Sequence, residues 1–223
     1  MKKSDSAHSP RLRAGLAASL PLILLSLTGC GGSSSSDPDP APVSRTGTFG
    51  STAVSGLHYQ SGDAATRTTD ERGRFLYTGN QKVLFSIGDL SLGEAPGAEN
   101  VTVLGISGGA ASTNEPDVTN KLILLQTLDV DGDLNNGIQL TEQIQDAVSA
   151  NAGNLDFEQP TADFTAALQN VVTSLESAGA FQDTDPRARA LTTAGDALEQ
   201  FERASSPRRV VDTADGKLSG FEA

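Results

Sequence analysis

Acidic residues outnumber basic ones 28 to 16 in this 223-residue sequence, for a net charge of −12 at neutral pH. A surface of that sign repels phosphate backbones, which argues against nucleic acid as a partner. One cysteine and two histidines leave no internal disulfide and no Cys/His cluster for zinc; with no Trp, two Tyr and eight Phe, the core must be mostly aliphatic.

The chain opens with a positive segment carrying Lys2, Lys3, Arg11 and Arg13, followed by the apolar run "AGLAASLPLILLSL" at 14–27. That run is too short to span a bilayer and fits the hydrophobic stretch of a secretory signal. It ends in Leu27-Thr28-Gly29-Cys30, which resembles the bacterial lipoprotein cleavage box. The resemblance implies cleavage before Cys30 and palmitate-type acylation of this lone thiol and of the new amino group. Several acyl chains hold a protein durably to a membrane, since each buried CH₂ contributes about 0.8 kcal/mol. Gly31 after the cysteine, rather than Asp, favours the outer membrane by analogy with enteric sorting. Losing residues 1–29 removes four basic residues and one acid and takes the charge from −12 to −15.

"GGSSSSDPDPAPVS" at 31–44 reads as a flexible tether, Gly/Ser-rich and then Pro-rich, with nothing to bury. The expected organisation is a signal peptide at 1–29, a lipid-anchored linker at 30–46, a small β module at 47–106, a helical region at 107–205 and a frayed tail at 206–223. No second hydrophobic segment follows the signal, so the remainder is expected to be soluble.

From 47 to 106 short alternating runs are broken by turn residues. Leu57 and Tyr59, Phe75 and Tyr77, then "KVLFSIGDLSLG" and "NVTVLGI" read as strands, with Asp63, Asp70-Glu71-Arg72-Gly73, Gly79-Asn80 and Gly88-Asp89 as punctuation. Strands at this spacing predict a small antiparallel β-sandwich. After Glu115 the period becomes helical, with Leu122, Leu125 and Leu128, and later Phe164, Leu168, Val171/Val172 and Leu175. Thr161 reads as a cap for the second of these helices. A last helix is predicted to open at Asp185 and Pro186, with Ala188, Leu191, Leu198 and Phe201 as its apolar stripe. The fold class expected is α+β, an N-terminal antiparallel sandwich followed by a small helical region.

Two stretches resemble known architectures. "VSGLHYQSGDAATRTTDERGRFLYTGNQKVLFSIGDLSLG", with its Thr69-Asp70 turn leading to Tyr77, is similar to the carboxypeptidase-regulatory-like β module of bacterial surface proteins. Its continuation "VTNKLILLQTLDVDGDLNNGIQL" resembles bacterial envelope proteins that follow this module with a helix and an "LLQTLD.DGD..NGI" segment. The resemblance implies envelope location and architecture only; the partner expected for the anchored chain is an unidentified envelope protein or glycan ligand.

The segment at 129–142 has the ligand spacing of a calcium loop. An EF-hand loop presents oxygens at positions 1, 3, 5, 7, 9 and 12 of a 12-residue ring. Counting from Asp131, these are Asp131, Asp133, Asn135, the carbonyl of Gly137, Gln139 and Glu142, with Ile138 at the apolar eighth place. Asn136 stands at position 6, where the sharp turn favours Gly; Asn tolerates left-handed backbone better than most residues. A frame starting at Asp129 uses Asp129, Asp131, Asp133 and Asn135 but loses Glu142. The alternative is a helix–helix connector of turn-forming Asp, Asn and Gly. Bound Ca²⁺ and a bare turn both remain open at this point, with Thr141 the expected cap of the following helix.

Gly105-Ile106-Ser107-Gly108-Gly109 matches the G-x-S-x-G elbow of carboxylesterases. That chemistry needs a strand–Ser–helix turn and a histidine later in the chain. The one histidine beyond residue 29, His58, precedes Ser107 and lies in a predicted strand, so Ser107 has no base to activate it. The chain is therefore expected not to be an enzyme, with a serine esterase acting through Ser107 as the alternative.

Overall fold

Alternation and helical periodicity become a mixed α/β structure with several sheets and, among the described residues, five α-helices, compatible with the α+β class. The structure is a computed structural model that describes residues 43–182 and 189–206 with their side chains, and residues 208–211 and 218–222 by backbone alone. Cys30, the signal segment and nearly all of the tether lie outside the described residues, as do Asp185, Pro186 and Ala188.

The first strands are β1 (Ser44–Phe49), β2 (Val54–Ser55), β3 (His58–Ser61), β4 (Arg67–Thr68), β5 (Arg74–Thr78), β6 (Lys82–Ile87), β7 (Leu90–Pro96) and β8 (Asn100–Val101). β1 begins at Ser44, inside the stretch read as linker. One sheet runs β5-β1-β8 and the other β4-β3-β6-β7. The second is antiparallel throughout, with Tyr59 opposite Phe85. The first is mixed, because β8 pairs parallel to β1 with Phe49 opposite Val101. The alternation explains which faces are buried: Phe75 and Tyr77 of β5 turn inward while Arg74 and Leu76 turn out, and in β6 Val83, Phe85 and Ile87 turn inward. Rings join the sheets, Phe49 with Phe85 at 4.6 Å, Phe75 with Phe85 at 5.1 Å and Tyr59 with Phe75 at 5.9 Å between centroids. Edge-to-face and tilted pairs of this kind add about 0.5–1.5 kcal/mol each beyond area burial.

The run "NVTVLGI" departs from the strand expected. Only Asn100 and Val101 pair; Val103–Ile106 forms a single helical turn, α1, because the Thr102 hydroxyl accepts the N–H of Gly105. α1 lies against β7 at Gly93 (φ +124°), where a Cβ would stand 2.2 Å from the Ile106 carbonyl oxygen.

α2 (Pro116–Thr127) starts with proline in its first turn and is buried from Val118 to Thr127. Its polar residues find partners on neighbouring elements: the Asn120 amide donates to the carbonyls of Phe157 and Gln159, and that of Gln126 to the carbonyl of Ala197. β9 (Ile138–Gln139) follows, then α3 (Glu142–Asn151), a 3₁₀ turn (Ala152–Asn154) and α4 (Thr161–Ser177). Thr141 caps α3 by accepting the Ile144 N–H, but Thr161 is the first residue of α4 and Pro160 stands at its cap position. Strand β9 is parallel to β2, so two residues of the Asp-rich loop, within the region expected to be helical, belong to a sheet.

α5 (Ala194–Ser205) begins well after Asp185. Its cap is Thr193, whose hydroxyl accepts the Asp196 N–H. The preceding residues are drawn out of helix because Arg189 N–H donates to Glu176, and Thr192 N–H donates to the Thr127 hydroxyl. The region expected to fray contains β10 (Arg208–Val211) and β11 (Leu218–Glu222), paired antiparallel with a register shift between Arg209 and Val211. From Ala41 on, the chain forms one compact unit. No helix among the described residues is long and apolar enough to cross a membrane.

Candidate functional site

The Asp-rich segment leaves α2 at Leu128 and enters α3 through the Thr141 cap, so it links two helices as a calcium loop does. Its base is closed by Val130 N–H donating to the Gln139 carbonyl at 3.0 Å. Its far limb is tied to the sheets: Ile138 N–H donates to the Ala53 carbonyl at 2.8 Å, and Leu140 N–H to that of Ser55 at 3.0 Å. Gly137 (φ +104°) turns the chain into this limb, and a Cβ there would stand 3.0 Å from the Ala53 oxygen.

Within the loop Asp131 is the hub. Its Oδ1 accepts the Asp133 N–H at 2.9 Å, and its Oδ2 accepts the amides of Asn136 at 2.8 Å and Gln139 at 3.4 Å. Asp133 Oδ1 accepts both the backbone N–H and the side-chain amide of Asn135. Asn136, the departure from glycine, thus serves as a donor to Asp131. Glu142 opens α3 as an exposed residue. Among the described residues no three His, Cys, Asp or Glu side chains gather as a group that could hold a metal ion. The structure thus brings Asp131 together with Asp133, Asn136 and Gln139, and pairs Asp133 with Asn135.

Asp129, which heads the alternative frame and lies outside the one beginning at Asp131, has no exposed surface. Its Oδ1 accepts the Gln139 N–H at 2.8 Å, and its Oδ2 is buried with no donor. Burial, and then the charge of Asp131, push its pKa up to about 6 against the pull of the Gln139 N–H and the Arg189 guanidinium. Asp131 goes the other way: the Asp133 N–H, then the Asn136 amide, hold its carboxyl below the ordinary value. Arg189 completes the setting. It donates to the carbonyls of Thr127, Asp129 and Val130 and stacks over Phe181 at 4.2 Å, so it closes the C-terminal end of α2. The sequence signal for Asp129 was its place directly after "LILLQTL", within a stretch too apolar to be solvated.

Ser107 sits at the end of α1, not at a strand-to-helix elbow. Its hydroxyl donates to the Val103 carbonyl at 2.9 Å and accepts from Lys121 Nζ at 3.2 Å. Lys121 is buried and ion-paired with Asp117 at 2.6 Å. His58 pairs with Thr68 and Ser86 across the sheet.

Two concave features accompany the loop. An apolar cavity lined by Phe49, Val54, Leu122, Leu125, Ile138 and Phe201 holds about 30 Å³, room for water-sized guests only. An open groove of about 680 Å³ is formed by Ser55, Gly56, residues 69–72, Arg74 and Leu140. Its Asp70 is ion-paired with Arg74 at 2.6 Å. Desolvation opposes ionisation of Asp70, but the Arg74 and Arg72 N–H groups and the Arg74 guanidinium hold its carboxyl below the usual value.

In comparisons with known proteins, no family model, no curated protein and no solved structure matches the chain.

Proposed function

We propose that this chain is a lipid-anchored protein of the bacterial cell envelope, held to the outer membrane through acylated Cys30, with a structural or binding role and no catalytic one. The observation that carries this reading is the Leu27-Thr28-Gly29-Cys30 box at the end of an apolar run of signal length. The first described strand starts at Ser44, so covalent geometry allows the anchor and that strand a separation of at most about 50 Å. The finer fold reading belongs to the same proposal: the ring-joined sheets are a β-sandwich module of the carboxypeptidase-regulatory-like kind, carried in front of the helices. The polar groove beside β2 is a surface on which an envelope protein or a glycan would be bound. The absence of catalysis is supported by the Ser107 hydroxyl, committed to a helix-end carbonyl and to an ion-paired lysine. Labelled palmitate should enter the chain in a bacterial host and be lost in Cys30→Ser, which should also leave the membrane fraction. Unlabelled wild-type chain would refute the anchor. A serine-reactive phosphonate probe should leave Ser107 unmodified.

A second reading, a calcium-dependent adhesion or sensing module, is favoured by the helix–loop–strand–helix order around Asp131, Asp133, Asn135, Gly137, Gln139 and Glu142. Ca²⁺ bound only by the folded chain would stabilise it by about 2.7 kcal/mol at a hundredfold excess over Kd. Thermal unfolding in millimolar Ca²⁺, compared with EDTA and with Mg²⁺, tests it. A calcium-selective rise in midpoint, lost in Asp131→Ala, is the outcome this reading requires.

A further inference from the structure

Asp129 carries a buried carboxylate oxygen with no donor, one residue away from the hub of the loop. Buried charged oxygens are satisfied by hydrogen bonds, by cations or by metals. Asp129 Oδ1 has the Gln139 N–H, but Oδ2 has none, and Gln139 ties the two carboxyls together, its N–H on Asp129 Oδ1 and its side-chain amide on Asp131 Oδ2. Two carboxyl groups so placed are held together by a proton or by a cation between them. Arg189 stands nearby, with its Nη1 and Nη2 directed at the carbonyls of Thr127, Asp129 and Val130.

The other groups around the pair are able to change sides. Asn136 and Gln139 both present their amide nitrogens to Asp131 Oδ2. Turning either amide over replaces its nitrogen with an oxygen at nearly the same place. With Asp129 Oδ2 added, Asp131 Oδ2, Asn136 Oδ1 and Gln139 Oε1 would offer a cation four hard oxygens, leaving positions for water. Ca²⁺ accepts six to eight oxygens in loose geometry, whereas Mg²⁺ demands a near-ideal octahedron at shorter distances. Oxygens carried by a flexible polar loop suit the larger ion.

We infer that Asp129 and Asp131 together hold a calcium ion, with Asp129 Oδ2 as the buried ligand that a frame beginning at Asp131 leaves out. The inference rests on the calcium reading above and changes its centre: the ion sits at the α2 end of the loop, and Glu142 is peripheral to it or completes it from a distance.

Calorimetric titration of the full chain with CaCl₂ near neutral pH, for wild type, Asp129→Asn and Glu142→Gln, tests this. Asp129→Asn keeps the side-chain size and the acceptor for Gln139, and should weaken calcium binding tenfold or more. Glu142→Gln should change it by less than Asp129→Asn does. Wild-type binding retained in Asp129→Asn overturns this inference and leaves the calcium reading in place. No calcium uptake by folded wild type overturns both. If Asp129→Asn does not fold, the side-chain carboxyl ¹³C resonance of Asp129 in the wild-type chain decides: it should move on adding calcium, and a stationary resonance overturns the inference.

Discussion

Asp129 Oδ2 has no donor, and the nearest carboxyl is that of Asp131, so in the absence of metal the folded chain holds a proton on Asp129 more tightly than the unfolded chain does. The direction of the pH effect follows. The unfolded carboxyl titrates near 3.8 and the folded one near 6, so stability is gained as pH falls through 6 and the gain is complete below 3.8. The difference corresponds to at most about 3 kcal/mol. Asp131 and Asp70, whose carboxyls are held low, contribute stability above the unfolded value and lose it below, so they do not act between pH 4 and 6. In EDTA the wild-type melting midpoint should therefore rise as pH is lowered from 7 to 5. Asp129→Asn should melt higher than wild type at pH 7 and lose that rise; a variant that keeps the wild-type slope would remove Asp129 as its source. The importance of Asp129 was hard to read because spacing treats every Asp in "DVDGD" alike, and only burial separates them. Asp131, whose place at the head of a turn is a local property, was legible from the start.

Elements were legible where their cause is local. Phe75/Tyr77 and Val83/Phe85/Ile87 alternate, and the structure turns each set inward. Thr141 reads as a cap and is one. The errors fall where a distant partner decides. Leu191 belongs to the predicted stripe of the last helix, yet α5 waits for Thr193, since Arg189 is held by Glu176 and Thr192 by the last turn of α2. Similarly, no local signal foretells that Ile138-Gln139 joins β2. That junction depends on Gly56, at φ +75°, where a Cβ would lie 2.0 Å from the Leu140 carbonyl oxygen. Gly56→Ala should therefore pay twice, for left-handed backbone and for displacing β9, and lower stability by more than about 2 kcal/mol. Gly79→Ala is the control, with φ +55° and open space around it, and should lose only about 1 kcal/mol. Equal losses in chemical denaturation would mean that the approach of β2 to β9 contributes nothing.

The hydrophobic period suggested a change of character near residues 107–117, and the physical question is whether the two sections can stand apart. Their contacts argue that they cannot. The Gln145 side chain on α3 accepts the Gly88 N–H from the β6–β7 turn and donates to the Gly56 carbonyl, and Ser149 accepts the Asp89 N–H. Phe49 and Val54 of the sheets share a cavity wall with Leu122 and Leu125 of α2 and with Ile138. Removing everything after residue 106 would expose these apolar faces, at about 25 cal/mol per Å² uncovered, and orphan the polar groups that α3 satisfies. A chain this short already buries a smaller fraction of its surface than a larger domain does, so it has little stability to lose. Residues 43–106 expressed alone should give a poorly dispersed amide spectrum and no cooperative melt, whereas the full chain should unfold in one transition followed alike by near- and far-ultraviolet circular dichroism. A fragment with dispersed amides and a sharp midpoint would show instead that the aromatic layer between the sheets suffices, and that the helices are carried rather than required.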